Sequence, residues 1–199
     1  MKKVNLLALI EISFFAAFAL ILDLLPSIKP IPSISISFAM VPIFILAFRW
    51  GFKASFIAGL LWGILQIAMG EAWIIHPVQA FMEYFTAFAF IGFAGLFYSP
   101  IQKAFRSKNK KKALVYVVAA IFVGSIARYF WHFLAGVIFI KSFAPDVKNP
   151  VFFSFAANGT TMIGAFIFCS IVLVLVLASA PQLVMRKGTS PAMTDKKAS

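Results

Sequence analysis

The chain has 199 residues, of which 62% are hydrophobic and 12% charged, with a mean hydropathy of +0.98 and a formal net charge of +12. Soluble domains are about half apolar and a quarter charged, so this composition excludes an ordinary soluble domain and indicates an integral membrane protein. The absence of a Walker motif, a Gly-rich dinucleotide loop and paired cysteines excludes an ATPase within the chain, an internal disulfide and a cysteine metal site.

The long apolar runs predict an all-α integral membrane protein with six transmembrane helices, because about 20 mainly apolar residues cross a bilayer as a helix. In chain order, the expected spans cover about 6–25, 37–48, 54–69, 78–97, 114–140 and 153–180. Proline residues lie between these spans or at their ends, namely Pro26, Pro30, Pro32, Pro77, Pro100, Pro145, Pro150 and Pro181.

The segments outside the spans are expected to be short. A Pro-rich loop, 26–32, follows the first span, and a tight basic turn, 49–53, joins the second to the third. The first span has a basic start but contains Glu11 and Asp23 and lacks a clear cleavage site, which favours a retained helix over a signal peptide. Residues 1–185 are predicted to form one transmembrane domain, and residues 186–199 a short, basic, disordered cytoplasmic tail.

Positive charge is distributed unevenly between the two predicted sides of the membrane. One side receives fourteen basic residues, namely Lys2, Lys3, Arg49, Lys53, Lys103, Arg106, Lys108, Lys110, Lys111, Lys112, Arg186, Lys187, Lys196 and Lys197. The other receives Lys29, Lys141 and Lys148, and Arg128 stays within a span. The positive-inside rule predicts a cell-membrane protein with both termini in the cytoplasm.

The basic run 108–112 is a separate feature of this distribution. We interpret it as a topology determinant near anionic lipid rather than a nucleic-acid site, with a partner-binding patch as the alternative.

Four polar residues lie inside the later apolar spans: Glu83, Arg128, His132 and Asn158. A charge at the bilayer centre costs about 3 kcal/mol or more, so such residues usually face a bundle interior or a cavity. Arg128 and His132 are four residues apart and therefore share a helix face. The predicted helix directions bring Glu83, His132 and Asn158 to a similar depth near the extracellular side. The sequence therefore predicts a pocket for a small polar ligand there.

A structural role is the alternative for each of these residues. Glu83 could pair with Arg128 and pin two helices together, and His132 could form an interhelical hydrogen bond. The structural ion pair is the favoured role for Arg128, because this side chain lies deeper and cannot lose its proton. Trp73, in an outer loop, could anchor at the interface or cover a flat or cationic ligand. Tyr84 offers a ring and a hydroxyl at the depth of Glu83.

Small residues predict close helix contacts. Gly59 and Gly63 form a Gly-x-x-x-Gly step in the third span, which permits close approach of another helix. Ala16, Ala17 and Ala19 give the first span a small-sided face, which could serve internal packing or docking of another membrane subunit.

Seven segments carry a family resemblance in the same order over nearly the whole chain, namely 35–44, 48–54, 59–63, 76–79, 83–84, 128–139 and 142–145. They resemble the thiamine-specific substrate-binding (S) components of energy-coupling factor (ECF) transporters. The fifth-span motif, Arg-Tyr-Phe-Trp-His-Phe-Leu-Ala-Gly-Val-Ile-Phe, is the most specific of them.

The resemblance implies a membrane-embedded thiamine-binding subunit with six helices, cytoplasmic termini and a pocket near the outer face. It implies a transmembrane coupling protein and two cytoplasmic ATPases as partners, with Ala16, Ala17 and Ala19 on the docking face. The family's ligand contacts match Glu83, Tyr84, His132 and Asn158, and Trp73 is a further candidate. Thiamine is then a ligand, and no cofactor, metal or nucleic acid is expected.

The chain departs from the family pattern at three places. Ile140 stands where a tryptophan follows the histidine by eight residues, and Phe153 where a tyrosine precedes the asparagine by five. The first outer loop has Lys-Pro-Ile-Pro-Ser-Ile in place of a Trp-Pro-Gln-Gly-Gly-like segment. Each aromatic contact contributes on the order of 1 kcal/mol beyond its burial. We therefore expect weaker thiamine binding or a shifted preference among thiamine-like ligands.

Two other classes of function stay open alongside a vitamin-binding subunit. A self-sufficient secondary transporter could use Glu83, Arg128 and His132 as a proton relay. A membrane enzyme could use Glu83 and His132 as acid and base, but no nucleophile or metal set accompanies them. The chain is therefore expected not to be an enzyme.

Overall fold

A computed structural model describes residues 6–25 and 36–186. All the elements in these residues are helices, and the six main ones are α1 (Leu6–Asp23), α2 (Val41–Trp50), α3 (Phe52–Ala68), α4 (Pro77–Arg106), α5 (Lys110–Phe139) and α6 (Pro150–Ser179). Two predicted segments, the Pro-rich loop 26–32 and nearly all of the tail 186–199, lie outside the described residues.

Four of the described helices, α1, α4, α5 and α6, are long and apolar enough to cross a membrane. The other two, α2 and α3, are apolar but shorter, with 10 and 17 residues. The all-α class predicted from the sequence is confirmed for this part of the chain. Residues of α2, above all Phe44 and Phe48, lie in the centre of the hydrophobic core.

The predicted boundary of the fourth span is wrong. The prediction ends this span at about residue 97, whereas α4 continues to Arg106 and contains Pro100. The helix changes type at this point, because a 3-10 stretch, Ile91–Phe97, gives way to an α-helical turn that begins at Tyr98. Pro100 lies in the first turn of that new stretch, where a missing backbone N–H costs no helical hydrogen bond.

The turn between α2 and α3 is shorter than predicted and consists of one residue. Gly51 alone separates α2 from α3, and its φ of 81° favours glycine. Arg49, at the end of α2, pairs with Glu11 of α1 through bonds of 2.6 and 2.8 Å, and Trp50 Nε1 donates to the same carboxylate at 2.7 Å. These bonds join the first two helices at the end of the bundle that carries the basic residues.

The first helix buries the face that the sequence suggested for docking. Ala16 and Ala19 are fully buried against the rest of the chain, while Ala17 is exposed. Ala16 and Ala19 therefore pack within the chain, which was one of the two roles left open for them, and docking of a partner on this helix stays a prediction. Small side chains let α1 approach α2 and α3 closely, so the chain itself covers the positions where they lie.

Small residues also bring α3 and α4 into backbone contact. A Cβ placed on Gly59 would lie 2.9 Å from the Phe88 carbonyl carbon, and one on Gly63 would lie 2.7 Å from the Tyr84 carbonyl carbon. The close approach predicted from the Gly-x-x-x-Gly step is therefore confirmed. Cys169 is fully buried in the core.

Candidate functional site

Two neighbouring cavities lie where α4 begins, α5 ends and α6 begins. One has a volume of about 530 Å³ and the other about 420 Å³, within the range of small-molecule sites. Both are lined by Trp73, His132 and Asn158. The shared residues make the two cavities parts of one candidate site.

All seven residues predicted to bind ligand lie around these cavities. The 530 Å³ cavity is lined by six of them, namely Trp73, Glu83, His132, Ile140, Phe153 and Asn158. Tyr84 lines the 420 Å³ cavity. Residues up to 85 positions apart in the chain thus come together, among them Glu83, His132 and Asn158.

Glu83 and Tyr84 lie in a π-helical turn, Phe81–Ala87, within α4. Turns of this type are rare and often occur at functional sites. The turn rests directly on α3, because Gly63 leaves room for the Tyr84 carbonyl group. The position of both candidate ligand residues therefore depends on a glycine in the neighbouring helix.

The loop between α3 and α4 is fastened to α4 by two side chains. Buried Gln79 donates from Nε2 to the Trp73 carbonyl at 3.1 Å and accepts from the Ile75 N–H at 3.3 Å. The Tyr84 hydroxyl accepts from the Trp73 N–H at 2.8 Å. The Trp73 ring meets the edge of Phe143 at 4.8 Å, so this loop also reaches the segment after α5. These contacts hold Trp73 at the boundary of both cavities.

Asn158 is oriented by its own helix and by α5. Its Nδ2 donates to the Ser154 carbonyl at 3.1 Å, to Ser154 Oγ at 3.2 Å and to the His132 carbonyl at 3.4 Å. Ser154 Oγ donates to the Phe133 carbonyl at 2.8 Å. Because Nδ2 is engaged, Oδ1 is the Asn158 atom that can accept a hydrogen bond from a ligand.

Arg128 lies among aromatic rings at the 420 Å³ cavity, which Asp23 also lines. Its guanidinium lies 4.3 Å from the Phe88 ring and 4.9 Å from the Trp62 ring, close enough for cation–π attraction. The structural ion pair of Arg128 stays a prediction. Arg128 Nε donates to His132 Nε2 at 3.4 Å. This bond makes Nε2 an acceptor and assigns the ring proton of His132 to Nδ1.

The 420 Å³ cavity has an acidic side that the sequence reasoning missed. Asp23 accepts a hydrogen bond from Gln66, and both residues line the cavity together with Glu71. Gln79 was also not identified as a candidate site residue from the sequence, although its position four residues before Glu83 places both on the same helix face. Asp23 and Gln66 lie far apart in the chain, and only the packing of α1 against α3 brings them together. The described residues contain no group of three or more potential metal ligands.

Comparison with known proteins gives the family. Residues 9–185 match the family model of the thiamine transporter protein. The chain belongs to this family. Members similar to it include the thiamine transporter ThiT of Bacillus subtilis, 44% identical over 90% of this chain and 95% of that protein. The ThiT of Lacticaseibacillus paracasei is 35% identical over 92% of each chain. A solved structure of ThiT from Listeria monocytogenes is 36% identical, with a TM-score of 0.87 over 91% of this chain and 98% of that one.

This membership confirms the family assigned from the sequence motifs. Because the family consists of transport proteins, the prediction that the chain is not an enzyme is also confirmed. With its apolar helices, the chain is a multi-pass membrane protein.

Two departures from the pattern expected of this thiamine transporter family lie at the 530 Å³ cavity. Ile140 is almost fully buried there, and Phe153 is partly buried. An aliphatic side chain and a ring without a hydroxyl therefore line the cavity at the two positions where the resemblance leads us to expect a tryptophan and a tyrosine. The third departure, in the first outer loop, lies outside the described residues.

Proposed function

We propose that this chain is the thiamine-binding subunit of an ECF-type importer and binds thiamine in the two joined cavities. The observation that carries the proposal is the grouping of Glu83, Tyr84, His132 and Asn158 around one site. These residues come from three helices and match the family's ligand contacts. The membership of the thiamine transporter family supports thiamine as the ligand.

The chemistry of the cavity suits the two rings of thiamine. Glu83 can offset the cationic thiazolium or accept from the pyrimidine amino group through a charge-assisted hydrogen bond. His132 and Asn158 can read the pyrimidine edge, the first with Nδ1–H as donor and the second with Oδ1 as acceptor. Trp73 and Tyr84 supply aromatic surface, and the Tyr84 hydroxyl keeps its own proton to donate.

The orientation in the membrane follows from the charge distribution. The candidate site lies at the end of the bundle where α4 begins, whereas the basic residues 103–112 lie at the opposite end. By the positive-inside rule, the basic end faces the cytoplasm and the cavities face outward. This arrangement supports six spans with both termini in the cytoplasm, α2 and α3 forming the two short spans.

ATP-driven uptake requires partners, because the chain carries no nucleotide-binding motif. We assign this role to a transmembrane coupling protein and two cytoplasmic ATPases. The exposed face of α1 supports docking of such a membrane subunit, since Ala17 lies among large exposed apolar side chains, namely Leu6, Leu7, Leu9, Ile10, Phe14, Phe18 and Ile21. Such a face suits a partner helix as well as lipid.

The decisive experiment is a titration of the purified chain with thiamine, followed by tryptophan fluorescence. Riboflavin, biotin and the free pyrimidine moiety serve as ligand controls. Glu83→Gln should weaken thiamine binding about 10- to 150-fold, because a hydrogen bond to a charged group contributes about 1.5–3 kcal/mol. Asp146→Asn is the matched control, since this exposed carboxylate lines neither cavity. Equal affinities of the two variants would refute the assigned site.

A second titration addresses the ligand preference. The replacement of larger groups by Ile140 and Phe153 supports an alternative ligand, a related vitamin or a pyrimidine precursor. Phe153→Tyr should strengthen thiamine binding several-fold, because the added hydroxyl can form a hydrogen bond with the ligand. Such a bond contributes about 1 kcal/mol. Nanomolar binding by the natural chain with no gain in Phe153→Tyr would contradict the expected weakening.

A transport assay separates the subunit from a self-sufficient transporter. Glu83 and His132, which line the same cavity, are the titratable groups that such a transporter would use to move protons. Proteoliposomes with the chain alone should bind thiamine but not accumulate it. Accumulation that an uncoupler abolishes would favour the secondary transporter instead.

A further inference from the structure

A third cavity lies at the opposite end of the bundle, in the corner between the end of α4 and the start of α5. It has a volume of about 280 Å³ and is lined by Pro100, Lys103, Ala104, Ser107, Lys112 and Tyr116. We call it the lysine recess. It shares no lining residue with the candidate thiamine site.

The two lysines of the recess have no balancing charge among the described residues. No carboxylate lines the recess, and the Arg49–Glu11 ion pair involves neither of its lysines. Lys112 Nζ lies 6.0 Å from the centre of the Tyr116 ring, which keeps the ammonium group at the recess. Two positive charges thus share a concave surface that has room for an anion.

The neighbouring basic residues are engaged elsewhere. Arg106 donates to the Arg186 carbonyl at 3.4 Å, and Lys110 donates to the Ala178 carbonyl at 3.4 Å. These bonds tie the basic segment to the end of α6. Lys103 and Lys112 therefore differ from Arg106 and Lys110, since they line a recess rather than bond to backbone carbonyls.

Exposed apolar residues continue from the recess along both helices. Leu96 precedes Pro100 by four residues on α4, and Val115 follows Lys112 by three on α5. Lys112 and Val115 therefore share a face of α5, and Leu96 lies in the 3-10 stretch about one turn before Pro100. The recess therefore combines a cationic end with an apolar surface that runs into the membrane-spanning parts of α4 and α5. This is the chemistry of a phospholipid, with a phosphate at one end and acyl chains at the other.

We infer that the lysine recess binds the phosphate of an anionic phospholipid, with the acyl chains lying along Leu96 and Val115. Lys103 and Lys112 supply charge-assisted hydrogen bonds to the phosphate oxygens. Each lysine near an anionic membrane surface contributes about 1 kcal/mol of attraction. The site would hold the junction of α4 and α5 at a fixed depth in the membrane.

The test measures lipid retained by the full chain after purification from vesicles that contain phosphatidylglycerol and phosphatidylcholine. Native mass spectrometry counts the bound lipids. Lys103→Gln/Lys112→Gln should reduce the affinity for phosphatidylglycerol about 30-fold, since two contacts are lost. The matched control is Lys108→Gln/Lys111→Gln, which removes the same charge from the same run outside the recess. Unchanged thermal unfolding would show that each variant is folded.

The outcomes separate a built site from its alternatives. Loss of phosphatidylglycerol confined to the recess variant supports the inference. Equal loss in both variants would overturn it in favour of a diffuse electrostatic attraction, and retention in both would exclude a role for the recess. Displacement of the lipid by millimolar inorganic phosphate would overturn the lipid assignment and indicate a site for free phosphate. Phosphatidylglycerol that stays bound in the presence of inorganic phosphate would support binding of the acyl chains to the apolar surface.

Discussion

Gly63 controls the position of the π-helical turn that carries Glu83 and Tyr84. A Cβ at this position would lie 2.7 Å from the Tyr84 carbonyl carbon, closer still to its oxygen, and 3.3 Å from Phe88 Cβ. The first two atoms belong to the backbone, so no side-chain rotation relieves the clash. Gly63→Ala must therefore push the turn away from α3.

The matched control is Gly159→Ala. A Cβ on Gly159 would have no atom of the described residues within 4 Å, although the residue is also inside a helix. Both substitutions gain about 1 kcal/mol of helix propensity, and this gain cancels in the comparison. The remaining difference is the cost of overpacking, about 1–3 kcal/mol. At about 2–4 °C per kcal/mol for a chain of this size, Gly63→Ala should unfold about 2–12 °C below Gly159→Ala.

Thermal unfolding in detergent and thiamine titration together test this reasoning. Displacement of Glu83 should also lower the affinity for thiamine at least about tenfold in Gly63→Ala, which corresponds to a loss of about 1.4 kcal/mol. Gly159→Ala should keep its affinity. If Gly63→Ala unfolds no lower than Gly159→Ala and binds thiamine equally well, the contact does not position the turn.

Three further predictions concern other contacts of the fold and the site. Glu11→Gln should lower the free energy of unfolding by about 1–3 kcal/mol, because the Arg49 guanidinium loses its carboxylate partner. High salt should not restore the lost stability. Gln102→Leu should cost a similar amount in a thermal unfolding assay, since two buried carbonyl groups lose their donor. Trp73→Ala should speed thiamine dissociation in stopped-flow measurements, because the ring contact with Phe143 no longer holds the loop over the cavities. Trp73→Phe, which retains a ring, should have a smaller effect.

The existence of the helices and of the site could be read from the sequence. Long apolar runs must form helices in a membrane, because every backbone group needs an internal partner there. Glu83, His132 and Asn158 stand out for the same reason, since a polar group in an apolar span requires a cavity or a partner. The approach of α3 to α4 was also predictable, because Gly59 and Gly63 lack the side chains that would prevent it.

Only the tertiary structure decided which face of each helix is buried. A membrane helix is apolar on all sides, so its hydrophobic pattern carries little information about direction. This explains why the sequence left two roles open for Ala16 and Ala19, internal packing or docking of a partner. It also explains why the contacts of Arg128 with aromatic rings of α3 and α4 were not predicted.

The sequence by itself determined the class of the protein, the approximate spans and the polar residues that need an explanation, because these follow from the cost of placing charge and unpaired backbone in a bilayer. The tertiary structure decided the partners of those residues. Gln79 holding the Trp73 loop and Asp23 meeting Gln66 at the cavity depend on distances between separate helices, and no local pattern encodes such distances.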